Sequence, residues 1–278
     1  MTITTVGLDI AKQVIQVHAV DERGKPIIRK QLKRQQVLPF FANLAPCLIG
    51  IEACGGAHDW ARRLSALGHT VKLMAPQFVK PYVKANKHDA ADAEAICEAV
   101  SRPSMRFVPV KDAEQQAMMA LHRARQGFVT ERTAQGNQIR GLLAEFGLVV
   151  PKGMATLKRR LPEILDDAEN GLPGSFRDLL RTLADHLATL HRQVEDITQR
   201  IEAAHRENPL SRRLAQIPGI GPLIATALLA AIGDIRSFAN GRQLAAWLGL
   251  VPKQSSTGGK TRILGIRIPV AHCPPSAP

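Results

Sequence analysis

Val6-Gly7-Leu8-Asp9-Ile10 is an apolar segment with a carboxylate set inside it, and this pairing constrains the fold more than any other stretch. A charge within a strand otherwise buried on both faces is expensive unless it is satisfied at the strand end or shared with a cation. Val14-Ile15-Gln16-Val17-His18-Ala19-Val20 reads as an antiparallel partner, Asp21-Glu22-Arg23-Gly24-Lys25 as a turn, and Pro26 to Lys33 as a third strand. Phe40 and Phe41 sit in a short predicted helix. Leu48-Ile49-Gly50-Ile51-Glu52 is another apolar strand ending in an acid. A helix from about Ala57 to Leu67 and a strand from Thr70 to Met74 then form a right-handed crossover. Three hairpin-linked strands followed by alternating helices and strands are the order of a ribonuclease-H-like α/β domain. In that order Asp9 lies on the first strand and Glu52 at the end of the fourth.

Lys87-His88-Asp89-Ala90-Ala91-Asp92-Ala93-Glu94-Ala95-Ile96 is rich in helix formers, with Asp89 suited to an N-cap. Three positions separate Asp89 from Asp92, so both carboxylates fall near one helix end. By itself the pattern suits a capped surface helix with a first-turn acid. Together with Asp9 and Glu52 it makes four carboxylates converging on one sheet edge, whose repulsion calls for a divalent cation. Oxygen ligands suit Mg2+ or Mn2+, and such an ion beside a phosphodiester polarises it.

Charge points to the same partner. The formal net charge is +13, and the pI near 10.1 suits a polyanion such as nucleic acid. Aromatic residues are only 4%, which disfavours single-strand binding on rows of stacked rings and leaves phosphate contact by Lys and Arg. Residues 1–110 carry +6, residues 111–208 carry none, and residues 209–278 carry +7, so a neutral spacer joins two basic ends. The four cysteines, Cys47, Cys54, Cys97 and Cys273, form no CxxC pair, which reads as reduced thiols in a cytoplasmic protein without a structural zinc. No signal peptide opens the sequence, and the apolar run from Leu223 to Ile232 is too short to span a bilayer.

Residues from about Asp112 to Gly147 form a helical segment whose Arg123, Arg125, Arg132 and Arg140 suit either a nucleic-acid backbone or a solvated, paired face. Pro151-Lys152-Gly153 and Leu157-Lys158-Arg159-Arg160 read as a basic connector. From Phe176 the steps alternate four and three through Leu180, Leu183, Leu187, Leu190, Val194, Ile197 and Ile201, a sustained heptad that predicts a coiled-coil seam. Its partner is either the preceding helix of the chain or the same helix of another subunit. Ile217-Pro218-Gly219-Ile220-Gly221-Pro222 between apolar helices reads as a helix-hairpin-helix, where Gly219 and Gly221 let backbone amides approach a DNA phosphate. Phe238 to Leu250 is a short amphipathic helix. It leads into Val251-Pro252-Lys253-Gln254-Ser255-Ser256-Thr257-Gly258-Gly259-Lys260-Thr261-Arg262, a glycine loop with hydroxyls beside Lys253, Lys260 and Arg262. A Walker A loop is excluded because position 254, where its first glycine belongs, is Gln. A serine held against a phosphate by cations is the chemically sensible alternative to a plain surface loop.

Gly7-Leu8-Asp9, Ile51-Glu52-Ala53-Cys54-Gly55-Gly56, Asp89-Ala90-Ala91-Asp92-Ala93-Glu94-Ala95 and Gly249-Leu250-Val251-Pro252…Ser256-Thr257-Gly258-Gly259-Lys260 together resemble the DEDD transposases of the insertion sequence 110 family, which are similar to Piv-type DNA invertases. The resemblance covers residues 1 to about 266 in the family's order. It implies a RuvC-like domain over 1–110, with Asp9, Glu52, Asp89 and Asp92 holding Mg2+ or Mn2+. A coiled-coil spacer over 111–208 and a C-terminal transposase domain over 209–266 would follow, the latter supplying a serine that attacks DNA and forms a phosphoserine link. Alignment on Pro252 and the Gly258-Gly259 pair puts that serine at Ser256. The resemblance further implies a bacterial, nucleoid-associated protein, dimers that pair into tetramers, and a structured guide RNA that matches donor and target DNA. Beyond Gly265-Ile266 the family continues into basic helical sequence, whereas residues 267–278 carry four prolines, which cannot continue a helix. The reading for this stretch is a truncated or frameshifted copy with impaired activity. Two other classes stay open on the residues: a junction-resolving nuclease that uses the acids without Ser256, and a remnant that binds DNA or RNA through its basic ends without catalysis.

Overall fold

The computed structural model describes residues 2–83, 89–250, 253–257 and 260–264, with only the backbone described at 89, 90, 237 and the last two stretches. The proline-rich tail lies outside them. Two compact units emerge, Met1–Asp112 with Ile232–Pro278, and Ala113–Ala231.

In the first unit the elements run β1 (Thr5–Ile10), β2 (Val14–Val20), β3 (Pro26–Lys33), α1 (Arg34–Ala42), β4 (Leu48–Glu52), α2 (Ala57–Ala66), β5 (Thr70–Met74), α3 (Pro76–Val79), α4 (Asp89–Val100) and β6 (Phe107–Val108). The six strands form one sheet in the order β3-β2-β1-β4-β5-β6. β1, β2 and β3 pair antiparallel, while β1–β4 and β4–β5 are parallel. This mixed sheet is consistent with the ribonuclease-H-like order read from the sequence. β6, antiparallel to β5 at Leu73↔Val108 and Met74↔Phe107, was not expected, because two residues between Arg106 and Pro109 show no alternation.

Period-2 alternation sorts the sheet's two faces. Val6 and Leu8 of β1 and Ile49 and Ile51 of β4 are at most 1% exposed and join one apolar cluster with Val37 and Phe41 of α1 and Trp60 and Leu64 of α2. The opposite face of the same strands carries Gly7 and Gly50, paired side by side, and α4 lies across them. A Cβ at Gly7 would overlap the Ala93 carbonyl oxygen and stand 2.5 Å from the Cys97 amide nitrogen. At Gly50 it would stand 2.7 Å from the Val100 Cβ. Ala93, Cys97 and Val100 share one helix face, so α4 rests its backbone almost directly on the sheet.

In the second unit α5 (Ala113–Ala144), α6 (Met154–Asp166) and α7 (Gly174–Glu207) lead to α8 (Pro209–Leu214) and α9 (Pro222–Ile232). α7 buries Phe176, Leu180, Leu187, Leu190, Val194, Ile197 and Ile201, with Leu183 partly buried. Its partner is α5 of the same chain. Arg125 Nε donates to the Thr198 hydroxyl (2.8 Å) and an Arg132 Nη donates to His191 Nδ1 (3.2 Å), so the two helices run antiparallel. Of the basic connector expected at residues 151–153 and 157–160, the first stretch does precede α6, but the second lies within that helix. Leu157, Leu161 and Ile164 fall on one face and are buried, and that apolar stripe outweighs the Lys-Arg-Arg run between them. Gly136 of α5 is the seat for α6, since a Cβ there would stand 2.9 Å from Met154 Cε.

Near the C-terminal end α10 (Gly241–Trp247) begins later than expected, because the Asn240 side chain caps it by accepting from the Gln243 amide and leaves Phe238 outside. The glycine loop expected after it is a two-stranded antiparallel ribbon, β7 (Lys253–Thr257) with β8 (Lys260–Leu264). Gly258 and Gly259 of that expected loop lie outside the described residues.

Two glycine substitutions should move stability in opposite directions. Gly7→Ala forces α4 off the sheet and should cost about 1–3 kcal/mol, as overpacking does. Gly127→Ala, on the exposed side of α5 with no atom near its Cβ position, should stabilise by roughly 0.5–1 kcal/mol. Urea unfolding of both variants checks the signs; a Gly7→Ala protein as stable as the parent would show that the helix does not sit this close.

Candidate active site

The same alternation that frees one face for α4 also places the acids. Asp9 is two residues beyond Gly7 on β1 and Glu52 two residues beyond Gly50 on β4, so both belong to the face that α4 crosses. The paired register ends at Leu8↔Ile51, which makes Asp9 and Glu52 the next positions on neighbouring parallel strands. Both are half-buried. α4 runs opposite to β1: the Cys97 thiol lies 3.8 Å from the Thr5 carbonyl oxygen, while Ala93 sits over Gly7. Its first turn, with Asp92 half-buried and the backbone of Asp89, therefore points toward the sheet end that holds Asp9 and Glu52. Glu94, one step further along α4, pairs with Arg29 of β3 at 3.4 Å and ties the helix to the sheet's antiparallel side.

Cys54, just beyond β4, reports the local field. Its thiol pKa is pushed up to about 11, first by burial and then by the charges of Glu52 and Asp9. Among the described residues no three His, Cys, Asp or Glu side chains stand close enough to hold a metal, and the Asp89 side chain lies outside that description. The donors on this face are carboxylate oxygens, the type that suits a hard divalent cation. Sequence reasoning passed over the pattern that builds the platform: Gly7-Leu8-Asp9 and Gly50-Ile51-Glu52 share the form Gly-x-acid, and the small residue marks where a helix can come close.

The other expected residues lie elsewhere in the chain. Gly219 and Gly221 occupy the turn between α8 and α9, and both are exposed. Gly219 has φ 88°, a left-handed conformation that favours glycine. Arg212 and Arg213 stand in the last turn of α8 beside it. Ser256 pairs with Thr261 across the β7–β8 ribbon, Ser255 with Arg262, Thr257 with Lys260, and Lys253 with Leu264. Positions 253, 255 and 257 thus share a face with 260 and 262, which groups Lys253, Lys260 and Arg262 with Ser255 and puts position 256 on the other face. Of the four arginines noted on the long helix, Arg125 is engaged across the α5–α7 pair and Arg140 holds the Pro151 and Gly153 carbonyls.

Comparison with known proteins identifies the family. A family model described as a transposase, DEDD_Tnp_IS110, matches residues 6–147, and a second, described as Transposase IS116/IS110/IS902 family, matches residues 211–268. The chain belongs to the IS110/IS116 family of transposases. It is 53% identical over 264 residues to a probable family 20 transposase of Pseudomonas aeruginosa, covering 95% of this chain and 78% of the relative. It is 43% identical to the transposase of insertion sequence element IS1328 of Yersinia enterocolitica, covering 95% and 78%. The transposase of IS1111A from Coxiella burnetii is 42% identical, covering 95% and 72%. This IS110/IS116 transposase is therefore of an enzyme class that cuts and rejoins DNA. Among its described residues no helix is long and apolar enough to cross a membrane.

The field at Cys54 yields a test of the acid pair. Thiolate is the reactive form, so removing a neighbouring negative charge lowers the pKa and speeds alkylation. With a chelator present at pH 9, Asp9→Asn and Glu52→Gln should each label Cys54 with iodoacetamide faster than the parent, as read by peptide mass spectrometry. The buried Cys47 and Cys97 serve as internal controls. Unchanged rates in both variants would separate the carboxylates from Cys54.

Proposed function

We propose that this chain is the transposase of a bacterial insertion sequence, with a DNA-cutting site made by Asp9, Glu52, Asp89 and Asp92 and a nucleophile at Ser256. The observation that carries the reading is the placement of Asp9 and Glu52 on adjacent parallel strands, under the helix whose first turn bears the other two acids. In this reading the four acids hold Mg2+ or Mn2+, which supplies charge stabilisation at the scissile phosphate when bound. Ser256 Oγ attacks phosphorus, the bond from phosphorus to one deoxyribose oxygen breaks, and the serine proton passes to that leaving oxygen. A phosphoserine ester remains, and attack by the hydroxyl of a second strand releases the serine and completes the exchange. Lys253, Lys260 and Arg262 supply positive charge on the same ribbon. The α8–α9 turn acts as a helix-hairpin-helix that offers the Gly219 and Gly221 amides to a DNA phosphate.

The charge of +13, concentrated at the two ends of the chain, supports DNA as the partner. By family resemblance the protein also takes a structured guide RNA and works as a dimer or tetramer. The antiparallel α5–α7 pair then serves as a coiled-coil spacer between the basic regions.

The serine and the metal are tested separately. Incubated with DNA that carries the element ends, the protein should form a detergent-resistant covalent adduct, lost in Ser256→Ala and kept in Ser255→Ala. An adduct lost only in Ser255→Ala would move the nucleophile to the residue across from Arg262. Cleavage with no adduct in any variant would replace this reading with a metal nuclease. Mg2+ at a hundred times its Kd should stabilise the parent by about 2.7 kcal/mol, read as a rise in melting temperature, and Asp9→Asn should lose most of that gain. Equal shifts in both proteins would refute the shared metal site.

A further inference from the structure

The second unit holds a cationic feature that the transposase reading does not use. Where the C-terminal half of α5 meets the segment leading into α6, an open depression of about 400 Å3 is lined by Arg132, Asn137, Arg140, Lys152 and Gly153, among others. Among the described residues no carboxylate lines it. Arg140 shapes its floor. Its Nε donates to the Pro151 carbonyl (3.3 Å), one Nη to the Gly153 carbonyl (2.6 Å) and the other to Asn137 Oδ1 (3.2 Å). That clasp fixes the chain on both sides of Lys152, whose ammonium is exposed and has no ion-pair partner among the described residues. On the opposite wall Arg132 spends one Nη on His191, which in turn faces Glu195 at 3.2 Å. The Arg132 Nε–H is buried and meets no acceptor among the described residues.

α6 adds a third source of positive potential. It is 13 residues long, starts immediately after Gly153, and has neither a side-chain cap nor an acid in its first turn. Among the described residues no side chain caps its leading amides, and the helix dipole places partial positive charge at the same edge. Lys152, the Arg132 guanidinium and an uncapped helix end thus bring positive charge to one depression, which suits a compact anion with several acceptor oxygens.

We propose that this depression binds a phosphate of a nucleic-acid strand. The site is defined by the helical unit alone; the choice of a nucleic acid as the phosphate's source rests on the transposase reading. Arg132 and Lys152 contact the phosphate, and Arg140 positions Lys152 and the first turn of α6. The contact reads no base, so it sets where a strand runs along the spacer and not which sequence it has.

The test is the salt dependence of binding by the whole chain, followed by fluorescence anisotropy with a labelled DNA duplex and, separately, a labelled single-stranded RNA. Lys152→Gln removes an exposed charge and leaves the packing intact. It should lower the slope of log K against log salt by about 0.9 on duplex DNA or about 0.7 on the single strand, and the arm that changes identifies the strand. Arg132→Gln should lower it by a similar amount. Lys158→Gln, on α6 but outside the depression, makes the same change in net charge and should leave the slope nearly as it was. Equal losses in Lys152→Gln and Lys158→Gln would reduce the effect to overall charge and overturn the site. An unchanged slope in Lys152→Gln on both strands would overturn it as well, while the parent's own binding would leave the transposase reading standing. A parent that binds neither strand would overturn that reading and the ligand assigned here together.

Discussion

The contact on which the first unit depends is the close approach of α4 to Gly7 and Gly50, backbone against backbone at Gly7 and against the Val100 side chain at Gly50. Any side chain at either position would meet α4 within 3 Å, so the glycines set the distance between helix and sheet. The opposite face of the same strands is filled by Val6, Leu8, Ile49 and Ile51, which anchor the sheet to α1 and α2. One face supplies burial and the other supplies proximity. Because side chains alternate, Asp9 and Glu52 inherit the near face without any special turn or bulge. They also sit at strand ends, where a half-buried carboxylate costs far less than it would in mid-sheet.

Charge in the second unit follows a different logic. Residues 111–208 are neutral overall, yet neutrality is achieved locally. Arg160 pairs with Glu163, Arg181 with Asp178 and Arg200 with Asp196, all three or four residues apart along their own helices. Such exposed pairs add little stability, typically less than about 1 kcal/mol each, but they remove those cations from contention for an outside partner. Arg125 differs, since its Nε is held by the neutral Thr198 hydroxyl. Lys152, Lys158 and Arg159 make no ion pair among the described residues and lie just before or within the first turns of α6, so a segment with no net charge still presents positive charge there. Segment totals hide this because they sum over faces that a ligand never sees together.

How much of this was legible in the sequence depended on period. The first five strands, α2 and the heptad on α7 were readable because each repeats a pattern over a full element and buries it: Val14–Val20 and Leu180–Ile201 are clear cases. β6 failed because two residues carry no period. α6 failed because Lys158, Arg159 and Arg160 drew the eye from Leu157 and Leu161 on either side, and buried leucines four apart outweigh solvated cations between them. The heptad named a seam but not its partner, since an apolar stripe is satisfied equally by a neighbour in the chain or by a second copy. Within this chain, Arg125–Thr198 and Arg132–His191 join α7 to α5 through polar contacts that no hydrophobic pattern encodes.

The candidate site was legible to a different degree at each end of the chain. Asp9 and Glu52 stood out because an acid inside an apolar strand is costly and so conspicuous, and the fold then brings strands distant in sequence into register. The serine pair offered no such signal. Ser255 and Ser256 are chemically identical, and sequence alignment separates them only by counting from Pro252 and the Gly258-Gly259 pair. Pairing into a ribbon makes them different, because a strand turns successive residues to opposite faces. Position 255 then shares its face with Lys253, Lys260 and Arg262, and position 256 with Thr261. Cations on the serine's own face would favour its alkoxide and the attacked phosphate together, whereas a serine on the far face must find that charge on another element. Family resemblance and strand register thus point to neighbouring hydroxyls. The two agree only if a nucleophile at position 256, as proposed, takes its activating charge from outside the ribbon.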